Sequence, residues 1–191
     1  MSLAQFYTDD TVSDFLISQL DTESVANVLD IGCGESSLLL AAGRRWNEAE
    51  LIGFDIDPRN IDSSNRGLQL HSGDALDPEL SHKIIEKYGE IDIAVSNPPY
   101  IFTKYGSNSR EILRSVGLDQ VISKQVSLIP AELIFLAQNL LVTKKEAELG
   151  FILPASLICG ERWEGFREYI SSELTIQSCI QLPNNAFKKT E

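Results

Sequence analysis

From residue 26 onward the sequence alternates short runs rich in β-branched and aromatic residues with longer stretches of helical periodicity. This alternation constrains the fold more than any other feature. Parallel neighbours in a sheet need a helix-length crossover between them, so such a chain builds an α/β fold with a mostly parallel sheet. Strands are expected at 27–31, 50–56, 68–72, 91–97, 150–155 and 175–182. Helices are expected at 10–20, 36–47, 58–66, 77–88, 128–142 and 161–172. The stretch 128–142, "LIPAELIFLAQNLLV", is apolar on nearly all sides and should lie deep in the core. A length of 191 residues suits one domain with a substantial core.

Composition removes several classes of function. No apolar run reaches the roughly 18 residues needed to span a membrane, and no signal peptide is visible. Cys33, Cys159 and Cys179 are odd in number, far apart and without metal-ligand spacing, which reads as free thiols in a reducing cytoplasm. Sixteen basic against 28 acidic residues leave a net charge of −12, which repels a phosphate backbone at long range. Strong nucleic-acid binding by this segment therefore needs a local basic patch or a basic partner.

In open α/β sheets ligands sit at the carboxyl ends of the strands, so the residues found there matter most. The first strand ends in "DIGCGESS", where Gly32 and Gly34 permit a tight turn and Ser36 or Ser37 can cap the next helix. Asp30, just before the turn, disfavours a pyrophosphate and suits an amine-bearing ligand. The second ends in "GFDIDP", with Asp55 placed 21 residues after Gly34, the spacing at which a carboxylate reaches ribose hydroxyls. Asp55 and Asp57 have an alternative reading as caps before Pro58. The third ends in "SGDAL", where Asp74 either caps the following helix or accepts a hydrogen bond from a base amino group. The fourth ends in Asn97-Pro98-Pro99-Tyr100, an amide and an aromatic ring held by two rigid residues. Residues 101–127 are polar and irregular and carry Lys104, Arg110, Arg114 and Lys124; they form either a substrate-side loop or a solvated one.

Taken together, "VLDIGCGESSL", "IGFDIDP", "HSGDAL" and "VSNPPY" resemble the class I S-adenosylmethionine-dependent methyltransferases. The last element resembles their amino-methylating branch, which includes the N6-adenine DNA methyltransferases. "AQFYTDDTVSDFLISQL" is similar to the N-terminal cofactor-binding segment of γ-type adenine enzymes and of type I modification subunits. "GFILPASLICGERWEGFREYI" and "IQLPNNAF" resemble later motifs, so the likeness covers nearly all of residues 1–191. It implies a Rossmann-like, doubly wound sheet and S-adenosylmethionine as cofactor. Carried over by position, Phe6, Tyr7 and Thr8 in the segment 1–25 would touch the methionine end, and Asp30, Gly32 and Gly34 would surround the amino acid moiety. Asp55 would take the ribose, Asp74 (with Ala75 beside it) the adenine edge, and Ile56 the adenine face. Two departures stand out: Asp9 replaces a common proline, and the loop lacks a third glycine at Ser36.

The resemblance also implies a chemistry. An exocyclic amine has its lone pair delocalised into the ring, and two rigid acceptors at its N–H groups stabilise the charge that develops on nitrogen. The Asn97 side-chain oxygen and the Pro98 carbonyl suit that task, with Pro99 fixing both. Tyr100 would stack on the extruded base, and Phe187 is either a second stacking ring or a hydrophobic anchor. His71, His82, Trp46 and Trp163 read as surface or packing residues. DNA is the expected partner, reached through a recognition domain or a specificity or restriction subunit outside the chain. Methylation of a release-factor glutamine or of rRNA or tRNA bases poses the same chemical problem, and a non-catalytic cofactor-binding domain is a further alternative. Class I enzymes resemble one another in a final antiparallel strand, and "NNAFKKTE" has neither the length nor the alternation for it, so the expected fold lacks that strand and a target-recognition region.

Overall fold

Five parallel strands carry the fold in a computed structural model that describes residues 10–61, 67–123 and 125–183. They are β1 (Asn27–Ile31), β2 (Glu50–Asp55), β3 (Leu68–Ser72), β4 (Ile91–Ser96) and, further along the chain, β7 (Thr143–Phe151), in the order β3-β2-β1-β4-β7. The order reverses between β1 and β4, so the crevice at a switch point opens above their carboxyl ends. Every residue of β1 is buried, because both faces of the sheet are covered. Val28 packs with Leu38, Leu39 and Trp46 on one face, while Leu29 and Ile31 pack with Ile84 and Val142 on the other. That is the doubly wound α/β architecture.

The helices follow from amphipathic runs between the strands. α1 (Asp10–Ser18) and α2 (Ser37–Arg45) cover the first face; α3 (Leu80–Tyr88) and part of α5 (Ala131–Val142) cover the second. The expected helix at 58–66 is a 3-10 turn over Pro58–Ile61 among the described residues. No helix among the described residues is long and apolar enough to cross a membrane.

Three expectations are corrected. Residues 101–127 are largely ordered: β5 (Phe102–Lys104) pairs antiparallel with β6 (Leu128–Pro130), and α4 (Ser107–Ser115) lies between them. α4 has few apolar positions, but Ile112 and Leu113 are fully buried beside Leu118 and Leu133 in a second core, so tertiary packing decides the helix. α5 begins at Ala131, because Pro130 is extended and closes β6.

The strand expected at 150–155 is displaced towards the N-terminus. β7 starts earlier, at Thr143, and ends at Phe151, followed by α6 (Ala155–Cys159). Its first half, with Lys144, Lys145 and Glu146 exposed, is a charged outer edge that apolar patterning does not register. β7 also bulges where Ile91 and Ile93 of β4 oppose Thr143 and Glu148. Third, 175–182 forms no strand: it follows α7 (Glu164–Glu173) with Ile176 and Ile180 half exposed. Alternation alone does not make a strand without a ladder to join. This segment touches the sheet through Gln177, which donates to Glu148 at 2.8 Å.

Candidate active site

The glycine turn after β1 is built by its backbone. The Gly32 and Cys33 N–H groups both donate to the Phe54 carbonyl, at 2.6 and 3.1 Å, which pulls the turn against β2. Gly32 has φ +79°, and a Cβ there would lie 2.7 Å from the Phe135 ring edge. Gly34 has φ +50° with open space beside it. Ser36 has φ 64° and, among the described residues, is the one non-glycine residue with positive φ. The position lacking a third glycine is therefore the position that asks for one. Ser36 also occupies the cap position of α2, but its side chain makes no cap hydrogen bond.

Asp55, 5% exposed, locks this turn to the next. Its Oδ2 accepts from the Gly34 N–H at 2.8 Å and its Oδ1 from the Asp57 N–H at 2.7 Å. Asp57 accepts from the Arg59 N–H at 3.0 Å and caps the 3-10 turn, and hydrogen bonds from Arg59 hold its carboxyl down at about 2. Asp74 behaves similarly, accepting from the Leu76 N–H at 2.9 Å.

Asp30 is different. It is 2% exposed, and its Oδ1 has no hydrogen-bond partner among the described residues. Burial, and then the charge of Asp55, push its carboxyl well above the usual carboxylate range. Burial, and then the charges of Asp30 and Asp55, push up the buried Cys33 thiol as well. Asp30 and Asp55 are both buried and form no ion pair among the described residues, so charge on both at once is unfavourable.

A cavity of about 250 Å³ brings these groups together. Asp30, Gly32, Gly34, Asp55, Ile56, Asp74, Ala75, Asn97, Pro98 and Pro99 all line it, so three strand ends and the β4 tip converge on one space. Tyr100 does not line it. It is half buried, and burial together with the negative charge of Glu132 pushes its phenol up to about 12. Tyr7, Thr8 and Phe187 lie outside the described residues.

Several wall residues were not singled out from the sequence. Phe135 of α5 lines the cavity beneath Gly32, and Ile101 and Thr103 line it after the β4 tip. Glu132, at the start of α5, is 4% exposed, with Oε2 unpartnered among the described residues and its carboxyl raised by burial. A lone acid in the apolar run "PAELIFLAQNLLV" was a readable signal of this.

The cavity fits a ligand that is cationic near Asp30 and offers hydroxyl donors near Asp55. Gly32 leaves room that a Cβ would fill, and the orphaned Asp30 oxygen calls for a donor.

The family model described as N-6 DNA methylase matches residues 2–191. The chain belongs to the N-6 DNA methylase family. Among relatives, the methylase subunit of the type I restriction enzyme MpnII from Mycoplasma pneumoniae is 24% identical over 97% of this family member and 38% of that protein. A release factor glutamine methyltransferase from Corynebacterium glutamicum is 31% identical over 48% of the chain and 35% of that protein. The chain thus spans well under half the length of these two relatives. The solved methyltransferase subunit of a type I restriction-modification system from Streptococcus thermophilus superposes with TM-score 0.66 at 22% identity, over 91% of this chain and 40% of that one. A precorrin-6y C5,15-methyltransferase from Geobacter metallireducens superposes with TM-score 0.52 at 12% identity, over 91% and 76% of the two chains. The fold of this N-6 DNA methylase family member is therefore the Rossmann-like class I methyltransferase fold.

Proposed function

We propose that this chain is the catalytic part of an enzyme that transfers a methyl group from S-adenosylmethionine to the N6 amine of adenine in DNA, within a restriction-modification system. The observation that carries this reading is that Asn97, Pro98 and Pro99 share one cavity with Asp30 and Asp55. Bound there, the cofactor supplies an activated sulfonium methyl. The residues supply the rest. Asp30 meets the cationic amino group, and Asp55 accepts from the ribose hydroxyls while its backbone donors hold the turn in place. Asp74 and Ala75 border the adenine edge, and Ile56, 56% exposed, packs against the adenine face. The Asn97 amide oxygen and Pro98 carbonyl accept from the target amine, and Pro99 fixes them; its own carbonyl takes the Ile101 N–H at 2.9 Å. Holding the two reactants in line is worth roughly 7–11 kcal/mol.

Tyr100 stays a neutral phenol across the working pH range and serves as a stacking face rather than a base. Tyr7 and Thr8 complete the methionine end, and Phe187 is the second stacking ring. The charge of −12 favours recognition of the target sequence by another domain or by a specificity subunit.

The test is direct. Protein is incubated with labelled S-adenosylmethionine and, separately, DNA, RNA or release factor, and the products are digested to nucleosides or peptides. N6-methyladenine in DNA is the expected product. Methylglutamine as the sole labelled product overturns the reading in favour of the release-factor chemistry named by the Corynebacterium relative.

A further inference from the structure

The ribbon that follows the β4 tip has two unlike faces. Residues alternate sides along a strand, and directly opposed residues share a face. In β5 and β6, Thr103 pairs with Ile129, while Phe102 pairs with Pro130 and Lys104 with Leu128. Thr103, with Ile101 before it, lines the catalytic cavity, and Ile129 is fully buried. Phe102 and Leu128, on the opposite face, are 59% and 47% exposed. Large apolar groups left in water beside a catalytic cavity signal a ligand surface.

Phe102 and Leu128 do not stand alone. With Gln125, Ser127 and Arg162 they line a shallow groove. Arg162 lies over the Trp163 ring, 5.2 Å from its centroid, and forms no ion pair among the described residues. In a chain with 28 acidic residues, this groove is lined, among the described residues, by Arg162 and by no carboxylate. An aromatic face, an available guanidinium and two uncharged polar groups are the parts that hold an unstacked nucleotide: ring for base, cation for phosphate.

We propose that this groove binds the nucleotide next to the target adenine, with its base on Phe102 and its phosphate at Arg162. The inference rests on the DNA reading above. Phe102 lies directly between the cavity-lining Ile101 and Thr103 in sequence, so a strand feeding its target base into the cavity presents the neighbouring nucleotide at the ribbon. The basic share of this otherwise acidic chain is then local, where the strand bends away from the duplex. Lys104, exposed on the same face, extends the positive surface.

The test pairs two deletions, using the full-length protein with any recognition subunit it needs. DNA substrates carry an abasic nucleotide on the 5′ or the 3′ side of the methylated adenine, and affinity is read by fluorescence anisotropy alongside methyl transfer. Phe102→Ala is expected to weaken binding of intact DNA about five-fold or more. One of the abasic substrates should weaken wild type similarly and leave Phe102→Ala unchanged, because ring and base are then each other's partner. Arg162→Ala should flatten the salt dependence of binding by about 0.7 in logarithmic slope. Unchanged cofactor affinity in both variants shows that the fold is intact. Additive losses, or none, with DNA still methylated by wild type, overturn the groove and leave the DNA reading standing. DNA neither bound nor methylated by wild type overturns both.

Discussion

A methyl group added at Gly32 tests how the floor of the cavity is built. Gly32 has φ +79°, a region that costs an L-residue about 1–2 kcal/mol. The new Cβ would also sit 2.7 Å from Phe135 Cε1, and such overpacking costs about 1–3 kcal/mol. Gly34→Ala is the matched control, since Gly34 has φ +50° but nothing within 4 Å. Both variants gain the same small benefit from a stiffer unfolded chain, so it cancels in their difference. Gly32→Ala should therefore be less stable than Gly34→Ala by about 1–3 kcal/mol, or about 2–12 °C in Tm at this chain length. Movement of Phe135 into the cavity that it lines would convert lost stability into lost cofactor affinity. Urea melts and calorimetry on the same samples read both outcomes, and Phe135→Leu in the Gly32→Ala background should recover part of the loss. Equal stability of the two alanine variants, with equal cofactor affinity, refutes the close packing of Gly32 on Phe135.

Asp55→Asn keeps the shape but replaces one of two accepting oxygens with a donor, facing either the Gly34 or the Asp57 N–H. A loss of about 1–3 kcal/mol is expected in urea melts, with weaker S-adenosylmethionine binding by calorimetry; full retention of both removes Asp55 from the site. Asp30 keeps its proton in the folded state over a pH range where the unfolded chain has lost it, because burial and then Asp55 raise it. Stability should fall as pH rises from about 4 through the raised value, and Asp30→Asn should abolish that slope in melts across this range; parallel profiles for the two proteins sink the argument. Asn97→Ala should lose nearly all transfer of labelled methyl while cofactor binding persists, whereas equal loss of both would make Asn97 a structural residue.

β1, β2 and β4 were legible because their hydrophobic runs are buried on both faces and bounded by turn residues, and the edge strand β3 because Leu68 and Leu70 alternate with polar residues before a turn. The converging site was legible for the same reason: a parallel sheet delivers every strand's carboxyl end to one edge. What escaped reading depends on partners distant in sequence. α4 is a helix because Ile112 and Leu113 find Leu133 across a second core, which no local pattern announces. "TIQSCIQL" alternates as a strand should and yet stays exposed, while "TKKEAEL" looks like a loop and is an edge strand. Phe135 was read only as part of a buried helix; its contact with Gly32 belongs to the fold, not to the spacing.

The glycine loop carries its own chemical reporter. Cys33 is 6% exposed and its thiol is held far from ionisation, whereas Cys159 and Cys179 are exposed. Thiolate, not thiol, reacts with alkylating reagents, so the two exposed cysteines label first and Cys33 labels only when the loop opens. With Cys159 and Cys179 replaced by serine, the labelling rate of the whole protein becomes a clock for the opening of one turn. A ligand that closes that turn slows the clock, which makes loop dynamics measurable without turnover.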